Sequence, residues 1–176
     1  MKIILVTVMS LDGKTTKEKT KNSSEWASIE DQKHFDALKS SNNLIVMGRR
    51  TFEASKSDIK PEKGILRVVL TSNPQKYKKL AIRGQLEFSK ESPKALVKRL
   101  KKKRFKQMLL VGGANVNGLF FKAGLVNEIQ LTVEPKIFGS GNNLLKGVSV
   151  NVKLHLDSIK GLNKSGTILL KYKVVK

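Results

Sequence analysis

The chain has 176 residues, of which 39% are hydrophobic, and this length and composition fit one globular domain rather than a disordered segment. The sequence contains no cysteine and its two histidines, His34 and His155, are far apart, so disulfides and thiolate sites are excluded and we expect no metal site. No apolar run is long enough for a signal peptide or a membrane span, and we therefore expect a cytoplasmic protein.

The formal net charge of +21 favours anionic partners. One interpretation is a nucleic-acid-binding module, whose binding to oligonucleotides would depend steeply on salt. The lysines are spread along the chain, however, and the densest run, residues 98–106, overlaps a predicted helix. Leu96, Val97 and Leu100 share one stripe of that helix, so the lysines form its solvent-facing side. We therefore favour a basic surface that attracts small anionic molecules, with nucleic acid as the weaker hypothesis.

The first part of the chain predicts a strand, a loop and a helix. Residues 2–8 are rich in β-branched side chains and predict a strand, which is followed by a turn at Asp12-Gly13. Residues 15–25 are polar and predict a loop. Ser28 then begins a capping pattern that predicts a helix up to about Lys39.

One carboxylate of this helix lies on its apolar side. Asp31, Phe35 and Leu38 have the spacing of a single helical stripe. Partial burial raises the pKa of a carboxyl group and suits it to proton transfer. The alternative is that Asp31, at the third helical position, only supports the helix cap.

The next strand ends at a glycine that is followed by cationic and hydroxyl side chains. Residues 44–47 predict a buried strand, and Gly48-Arg49-Arg50-Thr51 opens the next helix. Arginine presents a fork of donors that matches phosphate oxygens. A third strand, residues 65–70, ends at a turn whose Thr71 and Ser72 hydroxyls are expected to contact a ligand; the alternative is that they only form the turn.

A second glycine turn follows a fully apolar run. Residues 108–111 predict a buried strand that ends at Gly112-Gly113, and helical spacing begins at Val116 and continues to Ala123. Glycine lets backbone N–H groups approach an anion at the positive end of a helix. Because ligands of open α/β sheets bind at the carboxyl ends of strands, we predict that the Gly48 and Gly112 turns together bind a ligand with two or more phosphates. The alternative is two ordinary tight turns.

The remaining segments complete a mixed sheet. We predict a short strand over residues 86–88, a basic helix that begins at Ser92-Pro93, and a strand over residues 128–135. After a glycine-rich loop, residues 150–159 and 167–175 predict an antiparallel hairpin. The sequence thus predicts one α/β domain over residues 1–176, with a mostly parallel sheet flanked by helices and no internal repeat.

Four segments in this order and spacing resemble the dihydrofolate reductase-like superfamily, and within it the branch that contains the C-terminal reductase domain of the bifunctional riboflavin-biosynthesis deaminase-reductase (RibD) and its stand-alone relatives. The resemblance implies a three-layer fold, NADPH as hydride donor, and a pyrimidine- or pterin-like substrate. Many members are dimers, which implies a homodimer. The segments are Ser10-Leu11-Asp12-Gly13-Lys14, Met47-Gly48-Arg49-Arg50-Thr51-Phe52-Glu53, Val111-Gly112-Gly113-Ala114, and the run from Gly124 to Gly139.

The resemblance also assigns roles to single residues. First-strand residues match positions beside the nicotinamide, and the two glycine turns match positions around the phosphates and the pyrophosphate. Hydroxyls after the third strand match positions near the adenosine end. The residues implied for NADPH are Thr7, Val8, Gly48, Arg49, Arg50, Thr51, Leu70, Thr71, Ser72, Val111, Gly112, Gly113, Ala114, Asn115 and Val116.

The substrate side is implied by a second set of positions. With one residue gapped between helix and strand, Trp26, Asp31, Phe35 and Thr132 resemble the substrate-side residues of folate reductases. Asp31 is the predicted catalytic residue, which orients the heterocycle and helps to deliver a proton. Lys14 is predicted to bind a substrate phosphate, with a plain turn lysine as the alternative.

The sequence combines features of both branches. Val111 stands where the riboflavin reductases usually carry a glutamate, and the segment around Gly48 is nearer to folate reductases. The segment at Asp12 and the run after Gly124 are nearer to the riboflavin branch. The predicted substrate is therefore 5-amino-6-(5-phosphoribosylamino)uracil or the related diaminopyrimidine, with dihydrofolate as the alternative.

Overall fold

A mixed eight-stranded sheet forms the centre of the protein in the computed structural model, which describes residues 1–17 and 22–175. The strand order is β4-β3-β2-β5-β1-β6-β8-β7, and all neighbours are parallel except β8, which is antiparallel to both β6 and β7. The predicted mostly parallel sheet with a C-terminal hairpin is confirmed. The strands are β1 (Lys2–Ser10), β2 (Leu44–Gly48), β3 (Leu66–Leu70), β4 (Leu86–Ser89), β5 (Gln107–Leu110), β6 (Glu128–Glu134), β7 (Leu154–Gly161) and β8 (Ile168–Val174).

Helices cover both faces of this sheet and make three layers. Helices α3 and α4 pack on one face and build the first core, while α1, α2 and a 3-10 helix pack on the other face and build the second core. The helices are α1 (Ile29–Ser40), α2 (Arg49–Ala54), α3 (Pro93–Lys102) and α4 (Ala114–Lys122), with 3-10 helices at Ser23–Glu25 and Pro74–Leu80.

Local sequence signals explain where the helices begin. The Ser28 hydroxyl accepts a hydrogen bond from the Asp31 backbone N–H at 3.3 Å, as the capping pattern predicts. Ser92 caps α3 in the same way. On α3, Leu96, Val97 and Leu100 are buried, so the predicted apolar stripe is confirmed.

The structure corrects four predicted boundaries or segments. Helix α4 begins at Ala114 instead of Val116, because Gly113 is extended and acts as its N-cap. Strand β7 begins at Leu154, since Val150 and Val152 pack against the first core from a loop. The predicted loop over residues 15–25 contains a 3-10 helix, and its residues 18–21 lie outside the described part of the chain. The 3-10 helix at Pro74–Leu80 was not predicted; it buries Tyr77.

Candidate functional site

The two glycine turns are in direct contact at the carboxyl ends of β2 and β5. The Gly48 N–H donates a hydrogen bond to the Gly112 carbonyl over 2.7 Å. A Cβ added at Gly48 would lie 2.8 Å from Cγ2 of Val116, closer than side-chain atoms normally approach. Glycine at position 48 is therefore required by the close approach of the second turn, and the two turns border one site.

The second turn depends on glycine for a different reason. Gly112 has a φ of +87°, in the left-handed region where a side chain is strained. Gly113 lies against α2, and a Cβ there would lie 3.1 Å from the Thr51 hydroxyl oxygen. The turn thus presents bare backbone at the N-terminus of α4, an arrangement that accepts an anionic group.

A cleft of about 1400 Å³ opens at this edge of the sheet. Every residue predicted to contact the cofactor lies on its wall, although the sequence separates them by up to about a hundred positions. Those residues are Thr7, Val8, Gly48, Arg49, Arg50, Thr51, Leu70, Thr71, Ser72, Val111, Gly112, Gly113, Ala114, Asn115 and Val116. The volume exceeds that of a pocket for one small ligand and leaves room for a cofactor and a substrate together.

The two arginines of α2 differ in their surroundings. Arg49 forms an ion pair with Glu53 at 2.6 Å, and each side chain is 39% exposed. The Tyr77 hydroxyl donates to the other carboxylate oxygen of Glu53. Arg50 is exposed at the cleft wall. The geometry therefore holds Arg49 in place and leaves Arg50 on the solvent side of the cleft.

The part of the cleft next to α1 contains the predicted catalytic carboxyl group. Asp31 and Phe35 of α1 lie on its wall. Burial raises the pKa of Asp31, the Thr132 hydroxyl opposes this shift, and the charge of Glu134 adds to it. A carboxyl group with a raised pKa keeps its proton to a higher pH than a solvated aspartate does, which suits it to proton transfer.

A buried glutamate fixes the start of the helix that carries Asp31. Glu134 is 2% exposed, and its Oε1 accepts a hydrogen bond from the Ser28 N–H at 2.7 Å. Its Oε2 accepts one from the Thr167 hydroxyl at 2.8 Å. Glu134 therefore connects the α1 N-cap to the beginning of β8, and this connection orients Asp31.

Three residues predicted for the substrate side do not lie on the cleft wall. The Lys14 ammonium donates a hydrogen bond to Asn143 at 3.0 Å, on an exposed surface. Trp26 is buried and packs edge-on against Phe138, with ring centroids 5.0 Å apart. Thr132 is 1% exposed beneath Asp31. These positions separate Lys14, Trp26 and Thr132 from the cleft, so a direct substrate contact by any of them remains a prediction.

Two loops are joined beside the cleft. Asp12 accepts hydrogen bonds from the backbone N–H groups of Phe138 and Gly139 at 3.1 and 2.8 Å. The Ser10 hydroxyl also donates to Asp12, and these bonds lower the pKa of Asp12 to about 2. The Thr16 hydroxyl accepts the Asn142 N–H at 2.9 Å. The glycine-rich loop is thus held against the loop after β1, which places Thr16 and Asn142 on the cleft wall.

The sequence did not identify several polar residues of the cleft. Asn117 is 2% exposed, and Lys146 follows the glycine-rich loop. Arg67 lies within the apolar residues of β3, and a charged residue at such a position is a sequence signal that could have identified it as a cleft residue. Asn117 and Lys146 carry no such signal, because only the packing of the 144–148 segment on α4 brings them to the cleft.

A second cavity, of about 720 Å³, lies at the opposite, amino ends of β2, β3 and β5. Its wall includes Asn42, Glu62 and Gln107 and none of the predicted site residues. Among residues 1–17 and 22–175, no cluster of three histidine or acidic side chains is arranged to hold a metal ion. Within the same ranges, no helix has the length and apolar character needed to traverse a bilayer.

Comparison with known proteins gives relatives and structures that this chain resembles. The chain is 27% identical to the uncharacterized protein YwjB of Bacillus subtilis over 164 residues, which cover 90% of this chain and 91% of YwjB. It resembles the crystal structure of a pyrimidine reductase-like protein from Corynebacterium diphtheriae, with a TM-score of 0.82 and 17% identity over 99% of this chain and 92% of that one. It also resembles dihydrofolate reductase from Enterococcus faecalis complexed with NADP(H), with a TM-score of 0.67 and 19% identity over 99% and 97% of the two chains.

These structural likenesses confirm the predicted dihydrofolate reductase-like three-layer fold. The model of the RibD C-terminal domain family matches residues 1–166, nearly the whole chain. Fold and family together support an oxidoreductase that acts on a small molecule. The chain belongs to the RibD C-terminal domain family.

Proposed function

We propose that this protein is an NADPH-dependent reductase that transfers a hydride to a small heterocyclic substrate. The observation that carries this proposal is the direct contact between the Gly48 and Gly112 turns, which makes one continuous wall for a dinucleotide. The bare backbone at Gly112-Gly113 and the N-terminus of α4 suit a pyrophosphate. Arg50 and the hydroxyls of Thr71 and Ser72 lie on the same wall, which supports binding of the phosphate at the adenosine end.

When bound, NADPH supplies the hydride, and the protein supplies position, charge and exclusion of water. Thr7 and Val8, at the centre of the sheet, would lie beside the nicotinamide and form the border between cofactor and substrate. The apolar wall of the cleft at Val6 and Met47 keeps this border dry. The chain thus holds two ligands against each other so that donor and acceptor carbons meet.

Asp31 completes the reaction with a proton. Its raised pKa keeps a fraction of the carboxyl group protonated at a higher pH than a solvated aspartate allows. Glu134 and the Ser28 cap hold it at the start of α1, facing the cleft. Asp31 therefore orients the heterocycle and, with a pterin substrate, donates the proton that accompanies hydride transfer.

The substrate we propose is 5-amino-6-(5-phosphoribosylamino)uracil or the related diaminopyrimidine of riboflavin biosynthesis. Membership of the RibD C-terminal domain family and the high positive charge support a phosphorylated pyrimidine. Dihydrofolate is the second candidate, and the desolvated Asp31 favours it, because reduction of a pterin ring requires a proton on a ring nitrogen. A ribosyl reduction makes a smaller demand on this carboxyl group.

The deciding experiment follows NADPH oxidation with each substrate in parallel, for the wild type and for Asp31→Asn. If dihydrofolate is the substrate, Asp31→Asn loses most activity at neutral pH, whereas ribosyl reduction is largely retained. Turnover of neither substrate by the wild type would overturn both assignments.

A binding measurement tests the cofactor separately. Saturation with NADPH to about 100 times its Kd stabilises the folded state by about 2.7 kcal/mol, and the melting temperature rises accordingly. Arg50→Gln should reduce this rise for NADPH more than for NADH, whereas Arg83→Gln, an exposed change outside the cleft, should not. An unchanged melting temperature in NADPH would refute the cofactor assignment.

A further inference from the structure

A concave basic surface lies at the edge of the sheet opposite the cleft. The cavity of about 720 Å³ at the amino ends of β2, β3 and β5 opens there. Three cationic residues, Lys63, Arg104 and Lys106, lie on its wall, and all three are exposed. Hydroxyl and amide side chains such as those of Ser41 and Asn43 complete the polar part of this wall, and the cleft shares no wall residue with it.

Little acidic charge opposes these cations. Glu62 is the one carboxylate on the cavity wall, and the cation nearest to it is Arg67, at 3.9 Å. Within residues 1–17 and 22–175, no carboxylate lies within 4.0 Å of the charged groups of Lys63, Arg104 or Lys106. The three cations therefore repel one another across one cavity and are available to an anion.

The cations follow the edge of the sheet from strand to strand. Lys63 precedes β3, Lys106 precedes β5, and Lys2, which pairs with Glu128 at 2.6 Å, is the first residue of β1. The Lys2 N–H donates a hydrogen bond to the Lys106 carbonyl at 2.8 Å, so these residues are adjacent. In the strand order β3-β2-β5-β1, three interstrand spacings of about 4.8 Å give the row a length of about 14 Å. This length exceeds one phosphate group and corresponds to about four successive phosphates of a nucleic-acid strand.

Arg104 occupies a backbone position that normally belongs to glycine. It follows the end of α3 with a φ of +65°, and among the described residues it is the one non-glycine residue with a positive φ. Its N–H donates to the Lys101 carbonyl at 2.9 Å, and the Phe105 N–H donates to the Leu100 carbonyl at 3.2 Å, the Schellman arrangement that ends a helix. Glycine would make the same two bonds without strain, so helix termination does not account for the arginine. What the arginine adds is a guanidinium on the cavity wall.

Two simpler explanations do not cover these cations. Lys101 and Lys102 lie in the last turn of α3, where cations stabilise the helix dipole, but Lys63 and Lys106 lie outside the helices. Attraction of small anions into the cleft is the other explanation. The five residues of β3 separate the two edges of the sheet by roughly 16 Å, whereas salt screens exposed charges beyond about 8 Å. Charges at the cavity therefore contribute little to the cleft.

We propose that this basic edge, defined by Lys2, Lys63, Arg104 and Lys106, binds the phosphate backbone of a nucleic-acid strand, independently of its base sequence. Lysine, arginine, hydroxyl and amide side chains are the groups that contact phosphates in such complexes, and all are present on the cavity wall. Ile65 is the one large apolar side chain on this wall and is 9% exposed, so the wall offers no apolar anchor for a protein partner or a membrane. The proposal does not depend on the reductase function, because the cleft lies at the opposite edge of the sheet.

The test measures the fluorescence anisotropy of a labelled single-stranded oligonucleotide of mixed sequence, in salt between about 50 and 200 mM. We expect log Kd to change linearly with log salt, and saturating NADPH to leave Kd unchanged. The Lys63→Gln, Lys106→Gln double variant should weaken binding by about tenfold at low salt and reduce the slope by about 1.4, the value for two lost phosphate contacts. The matched control, Lys90→Gln with Lys94→Gln, removes the same charge at the other end of α3 and should leave the slope unchanged.

Arg104→Gly separates binding from folding. It should raise the melting temperature by roughly 2–4 °C, because glycine relieves the left-handed conformation, and it should nevertheless weaken binding of the oligonucleotide. The proposal is wrong if the wild type does not bind the oligonucleotide at low salt, if both double variants lose affinity equally, or if Arg104→Gly binds as tightly as the wild type. Displacement of the oligonucleotide by NADPH would place it in the cleft, and tighter binding to phosphatidylserine vesicles would make the partner a membrane; either result overturns the proposal.

Discussion

The contact between the two glycine turns predicts the effect of a single methyl group. Gly48 has φ of −85° and ψ of 157°, a conformation that alanine adopts freely, so Gly48→Ala introduces no backbone strain. The new Cβ would lie 2.8 Å from Val116 Cγ2, and Val116 is only 8% exposed. Overpacking of this kind costs about 1–3 kcal/mol, and the lower entropy of the unfolded chain returns about 0.4–1 kcal/mol. We expect a net loss of about 1–2 kcal/mol.

A double-mutant cycle isolates the cause. Val116→Ala removes the atom that the new methyl group meets, and by itself costs about 1.6 kcal/mol for its two lost methyl groups. In this background Gly48→Ala should cost almost nothing, which gives a coupling energy of about 1–2 kcal/mol. Gly161→Ala is the matched control, because no atom lies within 4 Å of its added Cβ and its φ is not positive.

The assay is unfolding by urea, for the free energies, and by heat, for the melting temperatures, of the wild type, the two single variants, the double variant and the control. A free-energy change of this size lowers the melting temperature by roughly 2–8 °C in a chain of this length. Additive effects in the double variant, or a Gly48→Ala variant as stable as the wild type, would show that the two turns do not press on each other as described.

Two further predictions concern ionisable groups. The pKa of Asp31 is raised in the folded state, so its contribution to stability is present at low pH and is lost as the pH rises through the folded pKa. The stability of Asp31→Asn relative to the wild type should therefore increase between about pH 3 and pH 7. Thermal melts of both proteins at the two pH values check this, and a constant difference would contradict it. Arg99 contacts Glu91 at 2.8 Å and also pairs with Glu87, so Arg99→Met should cost about 1 kcal/mol near neutral pH. The pKa of Glu91 is lowered by Arg99, so this cost should shrink as the pH falls below about 4, and an equally large cost at low pH would point to lost packing instead.

Features that depend on a few neighbouring residues were predictable from the sequence. The Ser28 and Ser92 caps are side-chain hydrogen bonds over three residues, so the sequence pattern contains all of their geometry. The apolar stripe of α3 follows from helical spacing alone. The glycine turn between a buried strand and a helix was also predicted, and the structure gives Gly112 in it a positive φ.

Predictions about segments that are distant in the sequence depend on how those segments pack against each other. The Gly48 and Gly112 turns meet because β2 and β5 are neighbours in the sheet, a consequence of the parallel α/β topology that the sequence pattern indicated. Trp26 was placed at the substrate by resemblance, and Lys14 as a cation for a substrate phosphate. Neither lies on the cleft wall, and their contact with substrate stays a prediction. The docking of the glycine-rich loop on the loop after β1 decides these positions, and no local pattern specifies such a contact between loops.

The α/β class, the helix caps and the two glycine turns follow from the amino-acid order, because each depends on backbone preferences and side-chain periodicity over a few residues. Which side chains share the cleft depends on how distant segments pack. Arg67 shows the reason: its place in an apolar run indicates burial, but its position on the cleft wall is a property of the elements that pack around it, and these come from distant parts of the chain.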